Sequence, residues 1–400
     1  MNNKVIIIGA GPAGLSAAIT CAENNIPVKI IDEYMLAGGR LLGQLYEEPT
    51  GGWWNGIDES EKLYEKALAL NVEFNFNTSV NHIEKIDDAW HVHTQAEVIQ
   101  THHLLIATGA SETSFAIPGW TLPGVMSIGA AQVMTNVHQV KPGEKGVIVG
   151  VNVLSSAIAM ELNIAGVGVE TIALPLKSSV TKKTADPLNV LESLLHVAHM
   201  APSLFVKLGS KLVVFKFMKK LATIFYPRNG VKMWGIPVNL RKAITKIHGT
   251  DHVTGVTISR ITRHGDVISG TEKQIEADFV CLAGGLYPLA ELVALTGCPF
   301  YHIESLGGHV PLHSRAMETV LPGLYVAGNV TGVEGAKIAI SQGITAGLTI
   351  TSKYNETNLN TLIEESITDT NKARSEAFIK FHPNIDQGRS EMDKLWQNRN

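Results

Sequence analysis

The sequence predicts an α/β fold of two Rossmann-like, doubly wound domains, one of them split by insertion of the other. Three observations predict it. Two βαβ patterns begin about 140 residues apart, at Val5 and near Lys145. Each opens with a hydrophobic strand that turns at a glycine into a helical pattern. A buried strand and a long helical pattern between Gly323 and about Ile350 then resume the first domain. A chain of 400 residues has room for two or three domains. The expected divisions are 1–115 for the first part of the split domain, 116–280 for the inserted domain with a basic insertion at about 176–250, 281–352 for the second part, and a polar, partly helical tail over 353–400.

The elements follow in order. Val5 to Ile8 reads as a buried strand, and Gly9-Ala10-Gly11-Pro12-Ala13-Gly14 turns it into a helix running to about Asn24. Val28 to Ile31 is the second strand, ending at Asp32-Glu33. A meander comes next, with alternation over Val72–Ile86 and Ala89–Gln95, and Glu97–Ala107 leading into Thr108-Gly109. Pro118, Pro123 and Gly124 punctuate the chain before the second βαβ. That unit has a strand over Gly146–Val149, a turn at Gly150, a helix over Ser155–Ala165 and a strand over Val169–Leu174. Residues 176–250 are less regular and are expected to hold helices; strands resume at Val253–Arg260 and Asp278–Ala283.

Composition narrows the class. With 45% hydrophobic and 18% charged residues, the chain is neither disordered nor fibrous. A net charge of −4 gives no reason to expect nucleic acid as a partner. No apolar run reaches the roughly 18 residues of a transmembrane segment, and the N-terminus has no signal-peptide pattern, so a cytoplasmic protein is expected. Cys21, Cys281 and Cys298 are far apart and form no Cys-x-x-Cys, which disfavours a redox dithiol, a zinc ribbon and a self-contained iron–sulfur cluster. Such spacing suits a reducing compartment, and no metal site is expected.

The first glycine motif meets every condition of a dinucleotide site: it follows a strand, opens a helix and has an acid eighteen residues beyond Gly14. Gly9 allows the tight turn, Gly11 lets the backbone approach a pyrophosphate, and Gly14 allows close helix–strand packing. Pro12 and Ala13 begin the helix, whose N-terminus offers N–H groups to the phosphates. Asp32 is placed to accept from ribose hydroxyls, and Glu33 is the weaker candidate. The motif alone does not choose between NAD and FAD. Three other segments do, because they resemble those of flavoproteins with two dinucleotide-binding domains. They are Gly38-Gly39-Arg40, Leu104–Gly109 and Gly323–Asn329. The resemblance implies FAD, with Gly39, Arg40, Thr108, Gly109, Gly328 and Asn329 near it. Asn329 stands where those flavoproteins usually carry an acid to hold the ribityl chain; its amide oxygen is still an acceptor.

A longer stretch narrows the resemblance. Phe279-Val280-Cys281-Leu282-Ala283-Gly284-Gly285-Leu286-Tyr287-Pro288 leads through Gly307-Gly308 to Pro322–Asn329 and Val330–Lys337. This is similar to the FAD-containing alpha subunits of multi-subunit amino-acid dehydrogenases: dye-linked proline dehydrogenase, opine oxidase, hydrogen cyanide synthase and sarcosine oxidase. The similarity covers about residues 4–170 and 250–350. It implies that the helix after the third motif points its N-terminus, Gly335 and Ala336, at the flavin pyrimidine ring. There it would stabilise negative charge on reduced flavin. Glu334 and Lys337 read equally as flavin neighbours or as a solvated acid and base. Many members carry a C-terminal iron–sulfur domain. No cysteine follows Cys298, so the expected partners are a second dehydrogenase subunit or a small iron–sulfur protein, in an oligomer that acts on a small-molecule substrate.

The second motif, Gly150-Val151-Asn152-Val153-Leu154-Ser155, keeps only its first glycine. Asn152 and Ser155 replace the two that serve pyrophosphate approach and packing, and the next strand ends without an acid. NAD(P)H binding there is left open, against a domain kept as scaffold or docking surface. From Ser193 to Thr250 eight lysines and two arginines face no acid, leaving −14 on the rest of the chain. This stretch, with Val206, Val213, Phe217 and Leu221 on one stripe, reads as a solvated basic surface or as a dock for an acidic partner or an anionic membrane surface. No catalytic residue is fixed. His302, His309 and His313 make no metal spacing, and Trp53 and Trp54 read as packing or as a cover for flavin. The expected function is an FAD-dependent electron-transferring subunit of an amino-acid or amine dehydrogenase. The alternatives are a stand-alone NAD(P)H-dependent flavin reductase feeding a ferredoxin or quinone, and a catalytically silent flavoprotein scaffold.

Overall fold

Val5–Ile8 is a run of β-branched residues with no polar interruption, and it forms the middle strand of a five-stranded parallel sheet. A computed structural model describes residues 4–48, 51–195, 226–227 and 230–399. The sheet order is Leu324–Val326, Leu104–Ile106, Val5–Ile8, Val28–Ile31 and Glu73–Asn75, every neighbour parallel. From Val5–Ile8 the chain steps outward on one side to Val28–Ile31 and returns later on the other at Leu104–Ile106. The crevice at the carboxyl ends of these two strands is therefore a topological switch point, where such sheets bind ligands.

The chain divides into two compact units, Met1–Ser111 with Leu286–Asn400, and Glu112–Gly285. In the first, helix Pro12–Glu23 packs on helix Ala336–Tyr354. Small residues make the approach close. A Cβ on Gly343 would lie 2.2 Å from the Ala13 carbonyl oxygen, and one on Gly347 2.6 Å from Thr20 Cβ. The polar tail holds helices Asn360–Ser375 and Ile385–Gln397, and Ile363, Ile367, Ile385 and Met392 are buried. The expected alternation over Val72–Ile86 is broken at Asn77, which adopts φ +52. Glu73–Asn75 joins the parallel sheet, and Val80–Ile86 starts an antiparallel sheet with Ala89–Thr94 and Val98–Thr101.

In the second unit Val125–Ser127, Phe279–Leu282, Lys145–Val149, Gly168–Pro175 and Ile236–Gly249 pair in parallel. Val253–Arg260 and Lys273–Glu276 extend that sheet antiparallel. The 14-residue strand Ile236–Gly249 lies where the sequence suggests helices. Its buried Ile236, Val238, Leu240, Ala243, Ile244 and Ile247 are interleaved with Arg241, Lys242 and Lys246, which mask the period-two pattern in the sequence. Helix Pro187–Leu195 does form in this stretch. The stripe of Val206, Val213, Phe217 and Leu221, and five of the eight lysines of the basic stretch, lie outside the described residues. Among the described residues no helix is long and apolar enough to cross a membrane.

Candidate dinucleotide sites

The three motif glycines differ in what surrounds them. At Gly9, φ +106, a Cβ would fall 2.4 Å from the Ala107 carbonyl oxygen; at Gly14 it would fall 1.9 Å from the Gly9 carbonyl oxygen. The fold itself demands both glycines. Gly11 has φ −74, and no atom of the chain lies within 4 Å of its Cβ position. What its missing side chain leaves is an open cradle. Pro12 opens the helix and no side chain caps it, so the first-turn N–H groups remain available to an anion. Ala13 faces protein: a Cβ on Gly328, φ +79, would meet its methyl at 2.9 Å.

Asp32 sits beside this turn. Its Oδ2 accepts from Ala10 N–H at 2.6 Å and its Oδ1 from Tyr34 N–H at 2.8 Å, leaving each oxygen a second lone pair. Burial pushes its pKa up, against these two bonds. Glu33 is exposed. Gly38 N–H donates to Ala10 O at 2.8 Å, and the Cβ position of Gly39, φ +53, is 3.4 Å from Gly11 Cα, so this loop borders the cradle. Arg40 Nε donates to Ala110 O at 2.8 Å. Thr108 donates its hydroxyl to Leu289 O at 2.6 Å, and Gly109 O accepts from Leu289 N–H at 3.0 Å. Arg40, Thr108 and Gly109 thus hold backbone together at the strand ends.

The third motif is tied into a buried polar network. Gly328 N–H donates to Gln342 Oε1 at 2.9 Å, and Asn329 Oδ1 accepts from Glu334 N–H at 3.0 Å. That bond fixes the amide orientation and leaves the oxygen one lone pair beside the –NH2 donors for a ribityl hydroxyl. Gly335 is the N-cap of the helix beginning at Ala336; no side chain caps it, and its Cβ position is open. Glu334, read from sequence as a solvated acid or a flavin neighbour, is neither solvated nor alone: its side chain is 3% exposed between Arg374 and Arg389. Burial raises its pKa, but the two guanidiniums outweigh burial and hold it below the usual carboxylate value. Lys337 Nζ lies 4.8 Å from the Trp54 ring centre. Trp54 is buried with Nε1 unpartnered, whereas Trp53 is exposed.

His313 is buried, with Nδ1 2.7 Å from Pro311 O and Nε2 3.4 Å from Arg389 Nη1. Burial and Arg389 push its pKa down to about 4. His302 and His309 face one another across a hairpin with ring centres 4.9 Å apart. Cys21, Cys281 and Cys298 are buried and free, and burial pushes the Cys21 thiol up to about 12 and that of Cys298 to about 11. None of them pairs for dithiol chemistry.

The second motif closes on itself. Gly150, φ +114, repeats the Gly9 geometry, with a Cβ position 2.1 Å from Ala283 O. Asn152 is extended at φ −153, so the left-handed tolerance of asparagine is not what places it there. Its Oδ1 accepts from Ser155 N–H at 2.9 Å, its own N–H donates to Ser155 Oγ at 2.9 Å, and its Nδ2 donates to Ala283 O at 2.9 Å. This reciprocal cap takes up the Asn152 and Ser155 N–H groups at the helix start where a pyrophosphate would lie.

An uncapped glycine cradle at the switch point of a split sheet, with a second domain of the same type inserted, defines an oxidoreductase of the two-dinucleotide-domain flavoprotein class. The chain matches the family described as pyridine nucleotide-disulphide oxidoreductase over residues 3–343, and it belongs to that FAD-binding family. It is 26% identical over 360 residues to an opine oxidase subunit from Agrobacterium tumefaciens, covering 86% of this chain and 64% of that protein. It is 25% identical over 405 residues to hydrogen cyanide synthase subunit HcnB of Pseudomonas aeruginosa, covering 97% and 78%. The structure of L-proline dehydrogenase from P. horikoshii is similar in fold, with a TM-score of 0.64 and 17% identity over 92% of this chain and 58% of that one. The chain therefore spans less than two thirds of the opine oxidase relative. The open cradles at Gly11 and Gly335, the uncapped helix starts and the orphaned Trp54 Nε1 fit FAD.

Proposed function

We propose that the chain is the flavin-bearing, electron-transferring subunit of a heteromeric amino-acid or amine dehydrogenase of the opine or proline type. The observation that carries this reading is the contrast between the open first motif and the self-capped second one. On that contrast, the residues of the first motif would hold the flavin, and its electrons would come by a route other than nicotinamide bound in the inserted unit. Bound FAD supplies two-electron chemistry, accepting a hydride equivalent and passing electrons onward. The chain's own residues bind and orient it. The helix N–H groups beyond Gly11 take the pyrophosphate, Asp32 offers its remaining lone pairs to ribose hydroxyls with Glu33 beside it, and Gly39 leaves room for the backbone to approach. Asn329 would offer its amide to a ribityl hydroxyl, and the N–H groups at Gly335 and Ala336 would be available to the pyrimidine end. Arg40, Thr108, Gly109 and Gly328 fix the loops around them.

The names of the relatives support a partner, since the opine oxidase relative and HcnB are both subunits. For this chain the partner is a second dehydrogenase subunit or a small iron–sulfur protein. The three buried free thiols favour a reducing, cytoplasmic setting. Tagged protein isolated from its native source brings down a second subunit, and the assembly's flavin is bleached anaerobically by a secondary amino acid. A chain that comes down alone and is itself reduced by such a substrate contradicts the subunit reading.

A further inference from the structure

Helices Asn360–Ser375 and Ile385–Gln397 send one arginine each into the loop before helix Ala336–Tyr354. Arg374 Nε donates to Glu334 Oε1, with Nη2 3.3 Å from Oε2. Arg389 reaches Glu334 Oε2 through Nε at 3.1 Å and also through Nη2. Arg389 Nη1 spans onward to Thr331 O at 2.9 Å and Thr331 Oγ1 at 3.2 Å. Thr331 Oγ1 donates back to Gly328 O at 2.8 Å, and Gln342 bridges Gly328 N–H at 2.9 Å to Glu334 Oε2 at 3.5 Å. Both arginines and Gln342 are thus tied to one buried carboxylate, and Arg389 carries that tie on to Thr331. The three side chains are 3%, 8% and 13% exposed for Glu334, Arg374 and Arg389. A cavity of about 10 Å³ between Glu334, Gly335, Arg374 and His382 holds one water at most, so the tail lies close against the loop.

Two consequences follow from the charges. One carboxylate between two guanidiniums leaves a net positive charge one residue before the N-cap Gly335, where the N-terminus of helix Ala336–Tyr354 adds partial positive charge of its own. Asn329, in place of an acid, adds no negative charge to offset it. We propose that Arg374 and Arg389, acting through Glu334, are positioning residues for the flavin: they hold Asn329 and Gly335 in place and bias that end of the site toward the anionic reduced form. The proposal rests on the assignment of Asn329 and Gly335 as flavin neighbours. A buried ion triad contributes little net stability against apolar residues of similar volume, which is consistent with a role other than stability.

The test uses the full chain, stripped of flavin and reconstituted with FAD. The triple variant E334M/R374M/R389M is expected to keep the thermal midpoint of the apoprotein within a few degrees. Its dissociation constant for FAD should rise at least tenfold. Its preference for reduced flavin should fall about tenfold, which for a two-electron couple is about 30 mV toward negative potential. R389K keeps the charge but cannot hold Glu334 and Thr331 together, so it is expected to weaken FAD binding while moving the potential less. It also serves if the triple variant does not fold. Gly335→Val is the control on the underlying assignment, because a Cβ at that position meets nothing within 4 Å. If Gly335→Val abolishes FAD binding while the arginine variants bind FAD at the parental affinity and potential, the positioning role is wrong. If Gly335→Val also leaves FAD binding unchanged, the placement of the flavin is wrong instead.

Discussion

Gly11, Gly14 and Asn152 occupy comparable turns, and what surrounds each assigns it a different task. Gly14 is packed against backbone, so Gly14→Ala drives a methyl to 1.9 Å from a carbonyl oxygen and should destabilise the protein by about 3 kcal/mol or prevent folding. At Gly11 a Cβ meets nothing within 4 Å, so Gly11→Val starts its side chain in open space. Its apoprotein should melt within about 1 °C of the parent, a shift worth roughly 1 kcal/mol in a chain this long, while the purified protein loses its yellow colour. The ratio of visible to ultraviolet absorbance and the apoprotein melting curve measure both. His313 gives a residue-scale prediction in pH. Its folded pKa, about 4, lies below its ordinary value near 6.5. The unfolded chain therefore binds the extra proton first as pH falls, and stability is lost between about pH 6.5 and pH 4, up to about 3 kcal/mol. Arg389, Asp393 and Glu334 are the charged groups that face this imidazole. His313→Gln should flatten the dependence of the thermal midpoint on pH, and an unchanged slope would show that the imidazole is not what titrates.

The helix starts are the elements on which the functional contrast depends. Pro12–Glu23 and Ala336–Tyr354 begin at glycine N-caps with no capping side chain, whereas Val153–Ile164 begins with a full reciprocal cap. Replacing both Asn152 and Ser155 by glycine should cost about 1 kcal/mol of stability and uncover the second helix N-terminus. If the cap is what excludes nicotinamide dinucleotides, isothermal titration should then show binding of NADH that the parent lacks. At this scale the sequence was most readable where a single strand and its glycine turn carry the signal: Val5–Ile8, Lys145–Val149 and Leu324–Val326 lie in strands where the pattern of apolar residues put them. Strand Ile236–Gly249 was hidden because cations punctuate its alternation. Arg374 and Arg389 were hidden for another reason. Their partner Glu334 is 40 and 55 residues away in sequence, and an arginine on a polar helix reads as solvated until the fold brings an acid to it. Asn329 was legible as a departure, but which of its atoms faces outward depends on the Glu334 N–H, a backbone donor with no sequence signature.

Across the molecule, one dinucleotide-type unit leaves its first helix start uncapped and the other spends the equivalent helix end on its own side chains. That asymmetry separates an electron-transferring subunit from a self-sufficient nicotinamide-dependent reductase with the same fold. The family's fold holds two dinucleotide-type domains, and in this chain the second one's helix N-terminus is capped by its own side chains. The most direct measurement is the anaerobic visible spectrum of the purified protein, recorded before and after NADH and then NADPH. The account predicts a flavin spectrum that neither nucleotide bleaches. Rapid bleaching by either, without a partner present, would contradict it and show that the capped site still delivers hydride to the flavin.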